Sequence, residues 1–422
     1  MRYTVRMLMK TFQYRLYPSK EQRRLLERQL EECRWLWNTL LAERKQAWEE
    51  RHEQLDYYEQ KAELPSLKVE ARPTLSEVHS QVLQDVVLRL KKAFDAFFRR
   101  LKAGETPAIP AFGGQGRYDS LTFPQVPVGC ALDVTERRLV VSKVGRIKVL
   151  VHRPLEGAPK MATIRRTATG KWFVSFSCEW EPTSLPSTRR AVGIDVGLTV
   201  FAMPTEGDPI ANPRFFRSEE RALAKAQRKH QAALDTHKAL RAALTEQVKQ
   251  THPHLEARRV WQQVSQDEGE RTAWRERQRR RRAVARVHER IRWRRGDFAH
   301  QESRKLVNQY DFLAVEDLSV RNMMANHRIA KSMHDAAWVQ FADALSYKAV
   351  WAGRRYVAVD PAYTSQDCSG CGQRKTDLTL ADRTYTCAQC GLVIDRDRNA
   401  ASNILARGKE LVALGRQCLG SP

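Results

Sequence analysis

Four cysteines restrict what this chain can fold into more than any other feature. Cys368-x-x-Cys371 is followed, fifteen residues on, by Cys387-x-x-Cys390. That is the spacing of a site in which four thiolates close a tetrahedron around one zinc ion. Gly372 and Gly391 each stand directly behind the second cysteine of a pair, where a tight turn must bring both sulfurs round to the same ion. Four thiolates leave no position for water, so the zinc expected here is structural and not catalytic. The competing assignment, two disulfides or two redox pairs, needs an oxidising compartment. The remaining cysteines, Cys33, Cys130, Cys178 and Cys418, are scattered through 422 residues. A secreted disulfide scaffold is far denser, so a reducing cytoplasm is expected.

Charge narrows the class further. Lys and Arg total 73 against 49 Asp and Glu, a net +24, while apolar residues make up 42% of a chain long enough for two or three domains. The protein is therefore globular, and its field favours a polyanionic partner, nucleic acid above all. The alternative is a ribosome-associated or merely over-basic surface. No apolar run reaches the roughly 18 residues of a membrane span. The basic amino terminus, MRYTVRMLMKTFQYRLYPS, has no long apolar centre or small-residue cleavage site, so it reads as folded structure and not as a signal peptide.

Alternation of Phe12, Tyr14 and Leu16 predicts a half-buried strand over 10–17. A helix opens at Pro18-Ser19, and a second at Pro73-Thr74 runs to about Gly104, before the loop PAIPAFGGQG. LTFPQV, ALDV, RLVVSKV, RIKVLVH, MATIRRT and KWFVSFSCEW, separated by short turns between 120 and 180, predict an antiparallel sheet or small barrel. The polar, Pro/Ser-containing EPTSLPSTRR at 181–190 marks a domain boundary. Beyond it come the strand AVGIDVGLTVFAMP and two long helices, 215–250 and 256–309, broken near His252-Pro253. The strand DFLAVEDL, the helix MHDAAWVQFADALSYKAVWAG, the strand RRYVAVDP, the cysteine cluster and the helix DRNAASNILARGKELVAL complete the chain. This order predicts an α/β layer whose sheet is covered on both faces.

Three acids stand out in that layer. Asp195 interrupts the apolar strand GIDVGLTVF, Glu316 ends FLAVEDL, and Asp397 lies in the first turn of the last helix. A carboxylate in a core strand costs several kcal/mol unless it is paired or bound to a cation. Strand ends and a helix N-terminus at one sheet edge are where α/β sites form. Three such acids can hold two Mg2+ ions about 4 Å apart, one activating water and one stabilising the leaving oxygen. Singly, Asp397 also reads as a helix N-cap and Glu316 as an ion-paired edge residue. Only the set of three makes a nuclease site.

GIDVG, VEDLSV and YTSQDCSGCG…YTCAQCG…DRDRNAASNI, in this order, resemble the TnpB family of transposon-encoded RNA-guided DNA endonucleases, relatives of the type V CRISPR effectors. TFQYRLYPSKEQRRLLER and SQVLQDVVLRLKKAFDAFFRRL resemble that family's opening strand and helices. The resemblance implies an α/β RNase H-like (RuvC) nuclease domain at 183–422, with a helical insertion at 215–305 and a zinc ribbon at 364–394. It implies a wedge β-barrel at 1–18 and 119–182, interrupted by a helical recognition domain at 19–118. It puts the catalytic, Mg2+-binding acids on Asp195, Glu316 and Asp397, choosing Asp397 over Asp395 by the family's Asp-x-Asn pattern. The ribbon would then pin the strand and helix that present the third acid, and Lys375 and Arg383 become candidate strand contacts. Two departures stand out: 232–272 is longer than the family's compact helical segment, and Gly113-Gly114 replace a basic residue after Phe112.

The implied activity is a Mg2+-dependent, RNA-guided cut through both DNA strands at a target that matches a transposon-derived guide RNA and carries a short adjacent motif. One guide RNA, one target duplex and a monomeric, nucleoid-associated protein are expected, with no membrane partner. The heteroduplex would be held by backbone and shape. Twelve arginines against two glutamates between 271 and 296 make Arg279, Arg282, Arg286 and Arg290 candidate nucleic-acid contacts. Ser80, Gln81 and Gln84, with hydroxyl and amide groups suited to base edges, are candidates for the adjacent motif. Three rival readings are a nuclease-silent RNA-guided repressor, a guide-independent RuvC-like nuclease, and a zinc-ribbon transcriptional regulator. The first would lack a site acid, the second would not need the amino-terminal half, and the third leaves the three acids unexplained.

Overall fold

The computed structural model describes residues 8–317, 338–379 and 381–415, without the side chain of Arg258. The amino-terminal seven residues, the LSV of VEDLSV, the first turn expected for the MHDAAW helix and Cys418 lie outside the described residues. The chain divides after Glu181 into two units, Met1–Glu181 and Pro182–Pro422.

In the first unit, strand β1 (Leu8–Tyr17) buries Phe12, Tyr14 and Leu16, as its alternation requires. It pairs antiparallel with β7 (Trp172–Trp180) and β5 (Gly145–Leu150). With β2 (Ser120–Phe123), β3 (Cys130–Asp133), β4 (Arg138–Val141) and β6 (Ala158–Arg166), they form a seven-stranded sheet in the order β2-β6-β7-β1-β5-β4-β3. This is the expected antiparallel sheet, nearly closed, with β2 and β3 as its two edges among the described residues. Ser19 caps helix α1 (Lys20–Arg51) in a capping box with Gln22. The expectation of one helix from Pro73 is corrected. Pro73–Glu77 is a short 3-10 turn, buried Val78 is extended, and His79 caps helix α2 (Ser80–Lys102). Burying Val78 pulls the chain out of helical geometry, so the cap comes six residues later.

The second unit is built on a five-stranded sheet ordered β10-β9-β8-β11-β12. Strands β8 (Ala191–Val196) and β9 (Val200–Pro204) are antiparallel, and β10 (Ile210–Ala211) adds to β9. Strands β11 (Phe312–Glu316) and β12 (Arg355–Val359) run parallel to β8. Parallel neighbours need long crossovers, and helices α3 (Phe215–Thr251), α4 (Ala257–Gln266) and α5 (Glu268–Gln309) fill the connection from β10 to β11. The second long helix expected here is two. Asp267 leaves helical geometry, and its carboxylate accepts a hydrogen bond from the Glu270 N–H at 2.8 Å, capping α5. Helix α6 (Trp338–Trp351) packs its Phe341 and Leu345 into the sheet's core. A two-stranded ribbon, β13 (Thr384–Thr386) and β14 (Val393–Asp395), precedes the last helix, α7 (Arg396–Ala413).

Candidate active site and metal centre

Register brings the first two acids together. The β8–β11 ladder pairs Ala191 with Phe312 and continues in step to Ile194 with Val315. Asp195 and Glu316 are each the next residue, at the carboxyl ends of adjacent parallel strands. The third acid arrives through helix α7, which lies against the sheet because two glycines allow it. A Cβ on Gly193 would stand 2.1 Å from the Ala401 carbonyl oxygen, and one on Gly408 would stand 2.7 Å from the Ala314 Cβ. Any larger residue at 193 must push α7, and Asp397 with it, off the sheet.

The two aspartates of Asp395-Arg396-Asp397 divide the work. Exposed Asp395 is the N-cap, its Oδ1 accepting from the Arg398 N–H at 3.0 Å. Half-buried Asp397 is thereby free of capping and faces the other two acids. Its carboxylate is paired instead with the Arg396 guanidinium at 3.0 Å, and Arg383 comes within 4.0 Å of it.

Burial and mutual repulsion show in the protonation of the set. Desolvation, then the charges of Glu316 and Asp397, push Asp195 up to about 9, and it shares a hydrogen bond with Glu316. Desolvation also raises Glu316, against the hydrogen bond it receives from the Thr364 hydroxyl at 3.1 Å. Such a set holds a proton it would exchange for a cation, and an all-oxygen donor set suits a hard ion such as Mg2+.

The four cysteines converge more tightly. Among the described residues they are the group whose ligand atoms gather to metal-binding distance, all within 4.8 Å of one another. Cys368 Sγ is 3.6 Å from Cys390 Sγ, and Cys371 Sγ is 3.6 Å from Cys387 Sγ. These are edges of a tetrahedron with metal–sulfur bonds of about 2.3 Å, and none of the four is in a disulfide. Gly372 and Gly391 have φ of 78° and 74°, the left-handed conformation their place in the knuckles demands. The N–H of Cys390 lowers Cys387 to about 6, favouring its thiolate, while Cys371 and Cys390 are raised beside their neighbouring thiols.

Asparagine side chains join the two centres, a role sequence reading missed. Asn399 donates to the Asp367 carbonyl at 2.8 Å and accepts from the Ser369 N–H at 2.9 Å. Asn403 donates to the carbonyls of Thr364 and Asp367 at 2.8 and 2.6 Å. Both lie on α7, so the segment entering the cysteine knuckle is bonded to the helix that carries Asp397. Their signal was the N-x-x-x-N repeat in NAASN, which sets both amides on one helix face. Thr364, buried against Glu316, had no signal beyond its place before the cysteines.

The nucleic-acid candidates lie elsewhere. On α5, Arg282 and Arg286 are exposed. Arg279 pairs with Glu276, and Arg290 with Glu219 of α3, so part of the arginine run holds the helical pair together. On α2, Ser80 is exposed, Gln84 is half-buried, and Gln81 donates to Gln125 at 2.9 Å. Arg383 donates to Thr199 at 3.1 Å, and Lys375 is half-buried.

Family models match three stretches: a helix-turn-helix domain at residues 7–53, a "Probable transposase" at 175–327, and a Cas12f1-like TNB domain at 338–404. A Streptomyces pristinaespiralis protein named "Putative RNA-guided DNA endonuclease" is 34% identical over 412 residues, 96% of this chain and 91% of its own length. The chain belongs to the TnpB family. A second member, InsQ of Escherichia coli K12, carries the same description and is 26% identical, covering 96% of this chain and 94% of its own length. Among solved structures, the mini-RNA-guided endonuclease CRISPR-Cas_phi3 aligns over 99% of this chain and 93% of its own, at 10% identity and a TM-score of 0.45.

Proposed function

We propose that this member of the TnpB family is an RNA-guided DNA endonuclease that breaks both strands of a guide-matched target bearing a short adjacent motif. Its second unit would be the RNase H-like nuclease domain, with 215–305 as a helical insertion and 364–394 as a zinc ribbon. Asp195, Glu316 and Asp397 would hold two Mg2+ ions, and Cys368, Cys371, Cys387 and Cys390 one Zn2+. The observation that carries this reading is the meeting of three carboxylates from β8, β11 and α7 at one sheet edge, with Asp195 raised to about 9.

Bound Mg2+ supplies activation of water and stabilisation of the leaving oxygen in an in-line phosphodiester hydrolysis. The chain's own residues position that chemistry. Thr364 holds the Glu316 carboxylate in place, and Arg396, paired with Asp397, is ready to turn to a phosphate when a cation takes its place. The four thiolates keep the ribbon folded, and Asn399 and Asn403 carry that rigidity to α7. Exposed Arg282 and Arg286 suit a nucleic-acid backbone, and Ser80, Gln81 and Gln84 remain the proposed readers of the adjacent motif.

The test is to purify the protein from cells that also carry its flanking DNA, sequence the RNA that accompanies it, and add Mg2+ and a target plasmid library. Discrete RNA and guide-matched double-strand breaks, absent with Asp195→Ala, are expected. Tight target binding without cutting would replace the reading with a repressor, and cutting without RNA would replace it with a guide-independent nuclease.

A further inference from the structure

An exposed tyrosine stands one residue from the acid site in a backbone conformation that tyrosine rarely adopts. Tyr363 has φ of 64° and is 54% exposed, while its neighbour Thr364 is buried and bonded to Glu316. A left-handed residue with a large side chain is strained, and such strain persists where the surroundings over-determine it. Here they do. The Tyr363 carbonyl accepts from the N–H groups of Gln366 and Asp367, both at 3.0 Å. Arg407 donates to the Ala362 carbonyl at 2.6 Å.

The ring is also backed. The Arg374 guanidinium lies 3.7 Å from its centroid and is itself held by the Asp367 carboxylate at 2.7 Å. Asp367 in turn accepts from Arg407 of α7 at 2.9 Å. Arg374 belongs to the stretch between the two cysteine pairs, so metal-bound thiolates would fix the cation that fixes the ring. A half-exposed aromatic with a cation on one face can contribute little to a core. It presents a flat apolar surface, pre-oriented and already paid for in conformational entropy.

We propose that Tyr363, backed by Arg374, is a stacking platform for one nucleobase of the DNA strand that enters the acid site. The proposal rests on the nuclease reading and adds a binding residue to it. A base on the free face of the ring would set the register of the strand over Asp195, Glu316 and Asp397 without reading sequence, because every base has a stacking face. It would also explain why glycine, which suits the backbone, does not occupy the position.

The experiment uses the full chain with its co-purified RNA and a matching duplex in which 2-aminopurine is walked through the strand around the cut. Calcium replaces Mg2+ for binding, and Mg2+ is restored for kinetics. One position should be quenched in the wild type and in Tyr363→Phe and Tyr363→Trp, and should brighten in Tyr363→Ala and Tyr363→Gly. In the last two, KM should rise roughly fivefold to a hundredfold with a smaller change in kcat. Tyr363→Gly should at the same time melt at a higher temperature than wild type, separating lost stacking from lost folding. Unchanged quenching and KM in Tyr363→Ala, with the wild type cutting normally, would overturn the platform. A wild type that cuts nothing would overturn the nuclease reading, and the platform with it.

Discussion

Six residues of chain separate Cys390 from Asp397, yet the thiol cluster and the acid cluster on either side of that span are ordered to different degrees. At the thiols, all four sulfurs already stand within 4.8 Å of one another, although a backbone N–H lowers Cys387 while Cys371 and Cys390 are raised. At the acids, desolvation and like charge push Asp195 up to about 9, and Arg396 occupies Asp397. The first cluster is pre-organised for an ion that stays. The second is held against its own repulsion by a sheet and a helix that would be more stable without it. Under the nuclease reading, a site strained in this way would bind cations reversibly and release a proton when it does so.

The comparison is tested most severely at the thiols. Stripping zinc with a chelator, or Cys387→Ser, should unfold the ribbon and release one zinc per chain, a loss on the order of 10 kcal/mol of local stability. Limited proteolysis should then cut within 364–394 first, and a ribbon that stays protease-resistant without metal would end the idea that the thiols hold it. Next in size is catalysis: Asp195→Ala should reduce plasmid cleavage by at least roughly a thousandfold while RNA still co-purifies. Residual cutting near the wild-type rate would remove Asp195 from the site.

A third effect has the opposite sign. Because the folded state raises Asp195 above its usual value of 3.8, its contribution favours folding at low pH and is lost progressively as pH rises towards about 9. In Mg2+-free buffer at neutral pH, Asp195→Asn should therefore stabilise the protein by about 1–4 kcal/mol. The gain should shrink below pH 4 and when Mg2+ is added to both proteins. Thermal melts across pH, with and without the ion, measure it, and a destabilised Asn variant would contradict the strained-site account. Smallest is Thr364→Val, which frees the Glu316 carboxylate and should lower kcat by about tenfold with little change in melting temperature. An unchanged kcat would show that the strand alone positions Glu316.

Much of the frame was legible because its signals are local. The alternation of Phe12, Tyr14 and Leu16, the Ser19 cap and the cysteine spacing each depend on neighbours in sequence. The helix starts at His79 and Asp267 were not legible, because a buried Val78 in one case and a competing carboxylate cap in the other override a continuous helical pattern. The pairing of Arg290 was equally hidden, since its partner Glu219 lies on another helix.

By itself the sequence determined the spacing of the four cysteines, the net basic charge, and the presence of three acids where apolar strands and a helix end. Tertiary structure decided that the acids meet. Parallel register sets Asp195 beside Glu316 one step past their last paired residues, and side-chain capping by Asp395 leaves Asp397 for the site. The absence of a Cβ at Gly193 then lets α7 close on the sheet. Ladder register and helix-to-sheet approach are settled by contacts between residues far apart in the chain, and no periodicity or spacing within one segment encodes them.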